Sequence, residues 1–301
     1  MKSVTKFLSV LTLSTLLLVV SVIAEEDTTV AGWKKSLVID LTTTQAAYSN
    51  SWVGGEAGSF NWVGNLNGKV EKQLISWLDL QSRLKLSFGQ TVTQDPDTKV
   101  WSKPRKSTDL IDWETIGLIT VDAYVDPYAA FRIESQFLNS SVPGKNRYLD
   151  PMLLTESGGI ARKVYQRKDD EVLLRLGLAV RQRINTVIID TATLATKDSV
   201  TTDGGLQFNA NASLTFNENL SYTGQLTLYK ALLYSKKDEV KGTPYEDDWK
   251  VIDVNWETII SASVSKIITV NLYTQLLYDK QISRRGRVKE TLGLGFVFKL
   301  I

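Results

Sequence analysis

The sequence predicts an all-β fold: a single antiparallel up-and-down transmembrane β-barrel of about 12 strands, with long loops at one end and short turns at the other. Three observations predict it. The first is strict alternation, clearest in residues 205–216. There Leu206, Phe208, Ala210, Ala212, Leu214 and Phe216 fall on one face of a strand, and Gln207, Asn209, Asn211, Ser213 and Thr215 on the other. The second is an export signal ahead of the alternating segments. The third is that connections between them alternate in length.

Residues 1–24 read as the signal peptide and 25–301 as the barrel domain. Lys2 and Lys6 supply a positive start, and Phe7 to Ile23 is apolar with only Ser and Thr interruptions. Val22-Ile23-Ala24 places small residues at the cleavage positions, and Glu25-Glu26-Asp27 opens a polar mature chain. No later stretch approaches the ~20 apolar residues of a membrane helix.

The strand candidates run, in order, over 34–46, 57–70, 75–90, 107–121, 127–139, 152–166, 171–186, 203–216, 220–235, 247–262, 266–281 and 287–300. The gaps near 47–56, 91–106, 140–151, 187–202, 236–246 and 282–286 are mostly long and polar. Those near 71–74, 122–126, 167–170, 217–219 and 263–265 are tight. Asp126-Pro127, Lys168-Asp169-Asp170 and Asn217-Glu218-Asn219 carry turn chemistry at three of them. An even strand count puts both mature termini at the short-turn end, the periplasmic end of an outer-membrane barrel.

Alternation alone does not choose which face is outside, since a soluble barrel turns its apolar face inward. Strands of ~13–16 residues exceed the ~9–11 that cross a membrane when tilted. Aromatics such as Phe60, Trp62, Phe88, Phe216, Tyr222, Tyr234 and Tyr278 lie near strand ends, where interfacial girdles sit. The chain also stops on an amphipathic strand, as barrels that close on their last strand do. Lipid therefore belongs on the apolar side and water on the polar side. Two places fit badly. Glu156 and Arg162 share a face with Leu154, Ile160 and Val164, and Lys230 shares one with Leu226, Leu228 and Leu232.

With the polar faces inward, the lumen carries Lys69, Arg83, Lys85, Arg132, Arg175, Arg181 and Arg183 against Asp40, Asp79, Asp112, Glu114, Glu134, Asp253 and Glu257. If the third and fourth strands pair symmetrically about their loop, Lys85 meets Asp112 and Arg83 meets Glu114. The constellation reads either as an ion-pair network filling the lumen or as a pore lining that selects by charge. Strands ~4.8 Å apart and tilted ~40° give a twelve-strand backbone diameter of about 24 Å. Long Arg and Lys side chains are able to close the remaining gap.

Other motifs carry less. Trp52 and Glu56, in Trp52-Val53-Gly54-Gly55-Glu56 of the first long loop, are the loop-contact candidates, with a glycine turn as the plain reading. Asp95-Pro96-Asp97-Thr98 lacks the glycine and distal Glu of a calcium loop and reads as a proline turn. Gly293 and Gly295 let a strand curve or make room for lumen side chains.

The chain contains neither Cys nor His. That removes disulfides, thiolate metal sites, the commonest transition-metal ligand and the usual general base. No catalytic residue, cofactor or metal site is expected, and no enzyme. The formal net charge of +2 offers no field for nucleic acid.

Several segments resemble an uncharacterised exported family of Bacteroidetes-like Gram-negative bacteria, a domain of unknown function regarded as an outer-membrane barrel. They are Gly32-Trp33-Lys34, Ser51-Trp52-Val53-Gly54-Gly55-Glu56, Trp77-Leu78-Asp79-Leu80 with Gly89, Lys106 through Asp109, Gln136-Phe137, and Pro151 with Thr155. They span roughly 32–186. The resemblance implies location and fold, not chemistry.

The expected function is that of an outer-membrane channel or small-solute transporter with a charged lumen. The alternative is a closed structural barrel that works through its extracellular loops. Expected partners are outer-membrane lipid, the barrel-assembly machinery during biogenesis and a small solute.

Overall fold

The computed structural model describes residues 32–48, 56–121, 123–142, 144–167, 170–190 and 193–299. The expected signal peptide, residues 1–24, and Trp52 lie outside them.

Twelve strands form one closed barrel. They are β1 (Lys34–Ala46), β2 (Ser59–Ile75), β3 (Leu78–Thr93), β4 (Arg105–Ile119), β5 (Asp126–Ser135), β8 (Met152–Arg167), β9 (Asp170–Asp190), β10 (Ala195–Asn217), β11 (Leu220–Tyr234), β12 (Asp253–Ser263), β13 (Ile268–Tyr278) and β14 (Arg287–Lys299). β6 (Leu138–Val142) and β7 (Lys145–Tyr148) form a separate two-stranded ribbon in the loop between β5 and β8. Every barrel neighbour is antiparallel, and β1 closes on β14 with Ile39 opposite Phe298 and Leu41 opposite Phe296. Closure removes every free sheet edge, so backbone amides are satisfied within the wall.

The barrel is inside-out. Leu176, Leu178, Leu206, Phe216, Leu292 and Leu294 are exposed on the outer face. Gln207, Asn209 and Asn211 are buried within. Residues 205–216 therefore stand as read, with amides inward and Leu206 and Phe216 outward.

All twelve predicted strands exist, but several ends move. β9 and β10 continue past 186 and begin before 203, so the expected 187–202 loop is mainly a projecting hairpin. Residues 247–252 are not strand; Asp248–Lys250 is a 3-10 turn that follows a four-residue helix, α1 (Lys237–Val240). The turn expected at 71–74 sits at Ser76-Trp77, because β2 runs on to Ile75. Asp126 and Pro127 open β5 instead of turning, with Pro at a strand start where its missing donor costs least. The Asn217-Glu218-Asn219 turn forms, closed by the Asn219 amide donating to Asn217 Oδ1 at 2.9 Å.

Both misfits are accommodated on the outer face. Lys230 Nζ donates to the carbonyl of Lys250 in the long β11–β12 loop, so it reaches up out of the apolar belt. Arg162 stacks on Tyr124, 3.4 Å from the ring centroid, and donates to the Tyr124 carbonyl beside the β4–β5 turn. Glu156 remains exposed on β8.

Closure depends on a glycine. Asp40 on β1 accepts from Asn65 of β2 at 2.6 Å and from Asn271 of β13 at 3.2 Å, reaching across β14. A Cβ on Gly295 of β14 would lie 2.7 Å from Asp40 Oδ2 and 2.5 Å from Asn271 Nδ2. Gly295 thus makes the room in which the seam is tied.

Candidate functional site: the charged lumen

The inward side chains form tiers from the short-turn end to the long-loop end. In the lowest tier, Lys163 of β8 pairs with Asp79 (3.3 Å) and Glu171 (3.4 Å), and Arg83 pairs with the same Glu171 at 3.5 Å. Lys69 lies near this end, paired with Glu71 at 3.1 Å. In the middle tier Arg175 donates to Glu114 at 2.7 Å, and Lys85 pairs with Glu257 at 3.5 Å. Above it, Arg132 forks onto Asp112 with two bonds of 2.8 Å and pairs with Glu134 at 3.0 Å. Arg181 bridges Asp203 (2.8 Å) and Asp253 (2.9 Å) while lying flat on Tyr229, and Arg183 meets Asp279 at 3.4 Å.

The β3–β4 register is the one expected, Arg83 opposite Glu114 and Lys85 opposite Asp112, yet neither opposed pair forms an ion pair. Asp112 is taken by the Arg132 fork, which is stronger than a single ammonium contact. Glu114 is taken by Arg175. The two β3 cations then reach across the lumen. Between β3 and β12 four strands intervene one way round the barrel and six the other. Lys85 also donates to Gln225 of β11, with five strands between on either side.

That reach fixes the shape. Extended Lys and Glu side chains extend roughly 6 and 5 Å from their Cα atoms, so the facing walls are at most about 15 Å apart at this tier. A circular twelve-strand barrel would hold them about 24 Å apart. The cross-section is flattened, and the lumen is narrow enough for side chains to span.

On one side the waist is also packed with apolar groups. Ile116, Leu118, Tyr128, Ala161 and Leu173 form a buried cluster that points into the barrel, with Arg175 over the Tyr128 ring at 5.5 Å. Alternation does assign Ile116 and Leu118 to the inner face with Glu114. A charge inventory alone passes over them. It also passes over Lys163, Glu171, Asp203 and Asp279, although alternation places the first three inward. Asp279 lies one residue beyond β13, where the face pattern stops.

Two cavities flank the waist. The upper one, of about 180 Å³, is lined by Arg132, Glu134, Arg181, Arg183, Gln207 and Asp253 among others. The lower one, of about 480 Å³, is lined by Lys34, Glu71, Asp79, Arg162 and Lys163 and by the β4–β5 turn. None of Arg175, Glu114, Lys85, Glu257 and Gln225 lines either cavity.

Inside the lumen several polar atoms have no partner among the described residues: Arg175 Nε and Nη1, Tyr128 Oη, Gln207 Oε1 and Asn211 Nδ2. Arg175 is nevertheless fully buried. Unsatisfied groups of this kind cost roughly 1–3 kcal/mol each.

Three of the segments behind the family resemblance, Lys106 through Asp109, Gln136-Phe137 and Pro151, meet at the long-loop rim, whereas Trp77 to Leu80 lies at the short-turn end and residues 51–55 lie outside the described residues. Asp109 accepts from the backbone amides of Phe137 (2.6 Å) and Leu138 (2.9 Å) and pairs with Lys106 at 3.0 Å. Lys106 also donates to Gln136 at 2.8 Å, and Ser135 donates to the Pro151 carbonyl at 3.1 Å. These residues clamp the start of the β5–β8 loop and contribute nothing to the lumen. Glu56 lies beside the β3–β4 loop, its backbone carbonyl accepting from Lys99. Asp95 is used up by its own turn, accepting from the Thr98 amide (2.7 Å) and hydroxyl (2.9 Å) and from the Asp97 amide (3.1 Å).

Fold and interior together define a class: a transmembrane-type antiparallel barrel with an apolar exterior and a charged, constricted lumen. Residues 43–140, about a third of the chain, match a family model described as "Protein of unknown function (DUF3078)". The match falls within the 32–186 span of the resembling segments. No curated protein matches the sequence. Among solved structures the chain is similar to the COG4313 outer membrane channel from Pseudomonas putida F1, at 13% identity and a TM-score of 0.43, covering 92% of this chain and 100% of that one. It is also similar to the translocator domain of the autotransporter NalP from Neisseria meningitidis, at 8% identity and 0.37, covering 99% and 97%. A third is the beta domain of the Bordetella autotransporter BrkA, at 10% and 0.31, covering 88% and 97%. The pairing and closure of the strands, not these likenesses, define the fold.

Proposed function

We propose that this protein is an outer-membrane β-barrel whose lumen is a narrow passage for ions and small polar solutes, constricted at one charged waist. It acts by conduction and not by catalysis. Its partners are outer-membrane lipid around the apolar belt, the barrel-assembly machinery during insertion, and the solute.

The observation that carries the passage is the unsatisfied polarity at and above the waist. A structural plug saturates its donors and acceptors, because each buried group left unpaired destabilises the fold. Here a fully buried Arg175 keeps two nitrogens without a partner among the described residues, and Gln207, Asn211 and Tyr128 each keep one such atom. A waist not locked by hydrogen bonds in this way is able to rearrange around a passing solute. The charged cavities on both sides supply entry from either end.

The closed-barrel reading has one observation in its favour, the Lys85–Glu257 pair that spans the waist. Two experiments separate the readings. Outer-membrane fractionation with heat-dependent migration on SDS gels tests the barrel's location; recovery in the soluble periplasm contradicts it. Swelling of liposomes loaded with the purified barrel tests passage. Uptake of glycerol- to triose-sized solutes is expected, and an absence of swelling for all of them returns the protein to the closed class.

A further inference from the structure

The segment from Lys280 to Lys289 holds five cations, Lys280, Arg284, Arg285, Arg287 and Lys289, and no carboxylate. It runs from the β13–β14 loop into the top of β14, at the long-loop mouth of the barrel. Two of the five are committed. Lys280 pairs with Asp248 at 2.9 Å, and Arg284 donates to the Pro244 carbonyl at 3.2 Å and lies 5.6 Å from the Tyr245 ring centroid. Arg285, Arg287 and Lys289 make no ion pair among the described residues. Alternation turns Arg287 and Lys289 inward, since Val288 and Glu290 are exposed on the outer face of β14. Arg287 lines the upper cavity. Lys289 Nζ donates to Thr108 Oγ1 of β4 at 2.6 Å, across the gap left by β1, β2 and β3, and lies 5.7 Å from the Tyr273 ring centroid. Every cation in the lumen tiers has a carboxylate partner. The ammonium at the mouth has only a neutral hydroxyl.

We infer that the long-loop mouth is a binding site for a soluble multivalent anion, carrying phosphate or carboxylate groups, which seats on Arg287 and Lys289 and closes the passage from that end. Guanidinium and ammonium groups both bind such anions, and without a carboxylate beside them their field is not cancelled locally. Residues two apart on a strand face the same way with Cα atoms about 7 Å apart, so an anion with more than one charged group is able to meet both. The tiers below stop it at the mouth. Arg132 and Arg181 are each shared by two carboxylates, and Glu134, Asp253 and Asp279 line the upper cavity, so a multivalent anion that goes deeper meets like charge. Binding at the mouth stands apart from the passage reading; the closing effect rests on it.

Titration calorimetry of the heat-modifiable barrel in non-ionic detergent, with tripolyphosphate as probe, tests the site. Planar-bilayer current with tripolyphosphate added to each side in turn tests the closing. Saturable heat is expected, and block from one side only. Arg287→Gln and Lys289→Gln should each weaken binding and raise the half-blocking concentration about tenfold, with the heat-modifiable band retained. Lys266→Gln removes the same charge in the β12–β13 turn at the far end and should change neither. No saturable heat at millimolar concentration, or an equal loss in Lys266→Gln, overturns the site. Loss in Arg285→Gln with wild-type binding in both inward variants puts the anion on the outside of the loop, where a lipid phosphate would lie, and overturns it too. Binding in a barrel that carries no current retains the site and defeats the passage; binding that leaves the current unblocked defeats the closing.

Discussion

Lys85 of β3 and Glu257 of β12 lie 3.5 Å apart across the lumen, from strands on nearly opposite sides of the barrel. A pair on one wall would only decorate a pore. This one ties two walls together across the lumen and places a charged pair in its path. Neither partner is exposed, at 26% and 12% of side-chain area, so both are only partly screened by water.

Arg175 and Glu114 should behave as a buried pair. Arg175→Met leaves the buried Glu114 without its hydrogen-bonded partner, at a cost of up to about 3–5 kcal/mol. Urea unfolding in detergent, followed by loss of the fast-migrating gel band, should show that loss. Arg175→Met with Glu114→Gln should recover most of it. Equal stability of all three proteins would mean that the pair is not buried as described.

The seam between first and last strands makes a second stability prediction. Gly295→Val places a branched side chain where Asp40 reaches Asn271. It should lower the heating temperature of band conversion more than Gly286→Val, because Gly286 has open space around it apart from Leu276 at 3.6 Å. An unchanged conversion temperature in Gly295→Val would count against the latch.

Asp109 should matter to the rim and not to the lumen. Asp109→Ala removes two backbone-to-carboxylate bonds and the Lys106 partner. Charged hydrogen bonds contribute roughly 1.5–3 kcal/mol each. Faster limited proteolysis within 136–151 is expected, with solute uptake retained. A protease-resistant loop would refute the clamp.

The Asp95 turn gives a pH dependence outside the membrane belt. Hydrogen bonds from the Thr98 amide and hydroxyl, then from the Asp97 amide, hold its carboxyl below the usual Asp value. A carboxyl lowered on folding stabilises the turn above its unfolded pKa, and that contribution fades as pH falls through the lower folded value. NMR titration of the loop should place Asp95 below the usual Asp value, and Thr98→Ala should bring it back up. A usual or raised value in the wild type would contradict the turn.

The fold was legible because alternation has a period of two in every strand, and a barrel repeats it until it closes. The β3–β4 register followed from symmetry about their loop. Which cation meets which anion did not follow, because Arg132 takes Asp112 from Lys85 on the next strand, and Lys85 then meets Glu257 on a strand far away in sequence. Their meeting depends on flattening of the barrel, which no local pattern encodes. Bulges blur the pattern as well: the shift between Lys163 and Tyr165 in β8 falls where Arg162 had looked misplaced. The motif residues Lys106, Asp109 and Gln136 stood out in the sequence for a structural reason, the rim clamp. The lumen residues left with unpartnered polar atoms, Arg175 and Gln207 among them, have no motif at all.

Single-channel recording in planar bilayers tests the central claim most directly, comparing the wild type with Lys85→Ala and with the Lys85→Ala, Glu257→Gln double variant. A small wild-type conductance is expected, increased several-fold in both variants, with cation preference in Lys85→Ala and its loss in the double variant. Identical conductance and selectivity in all three proteins, or no conductance in any of them, would contradict a passage constricted by that pair.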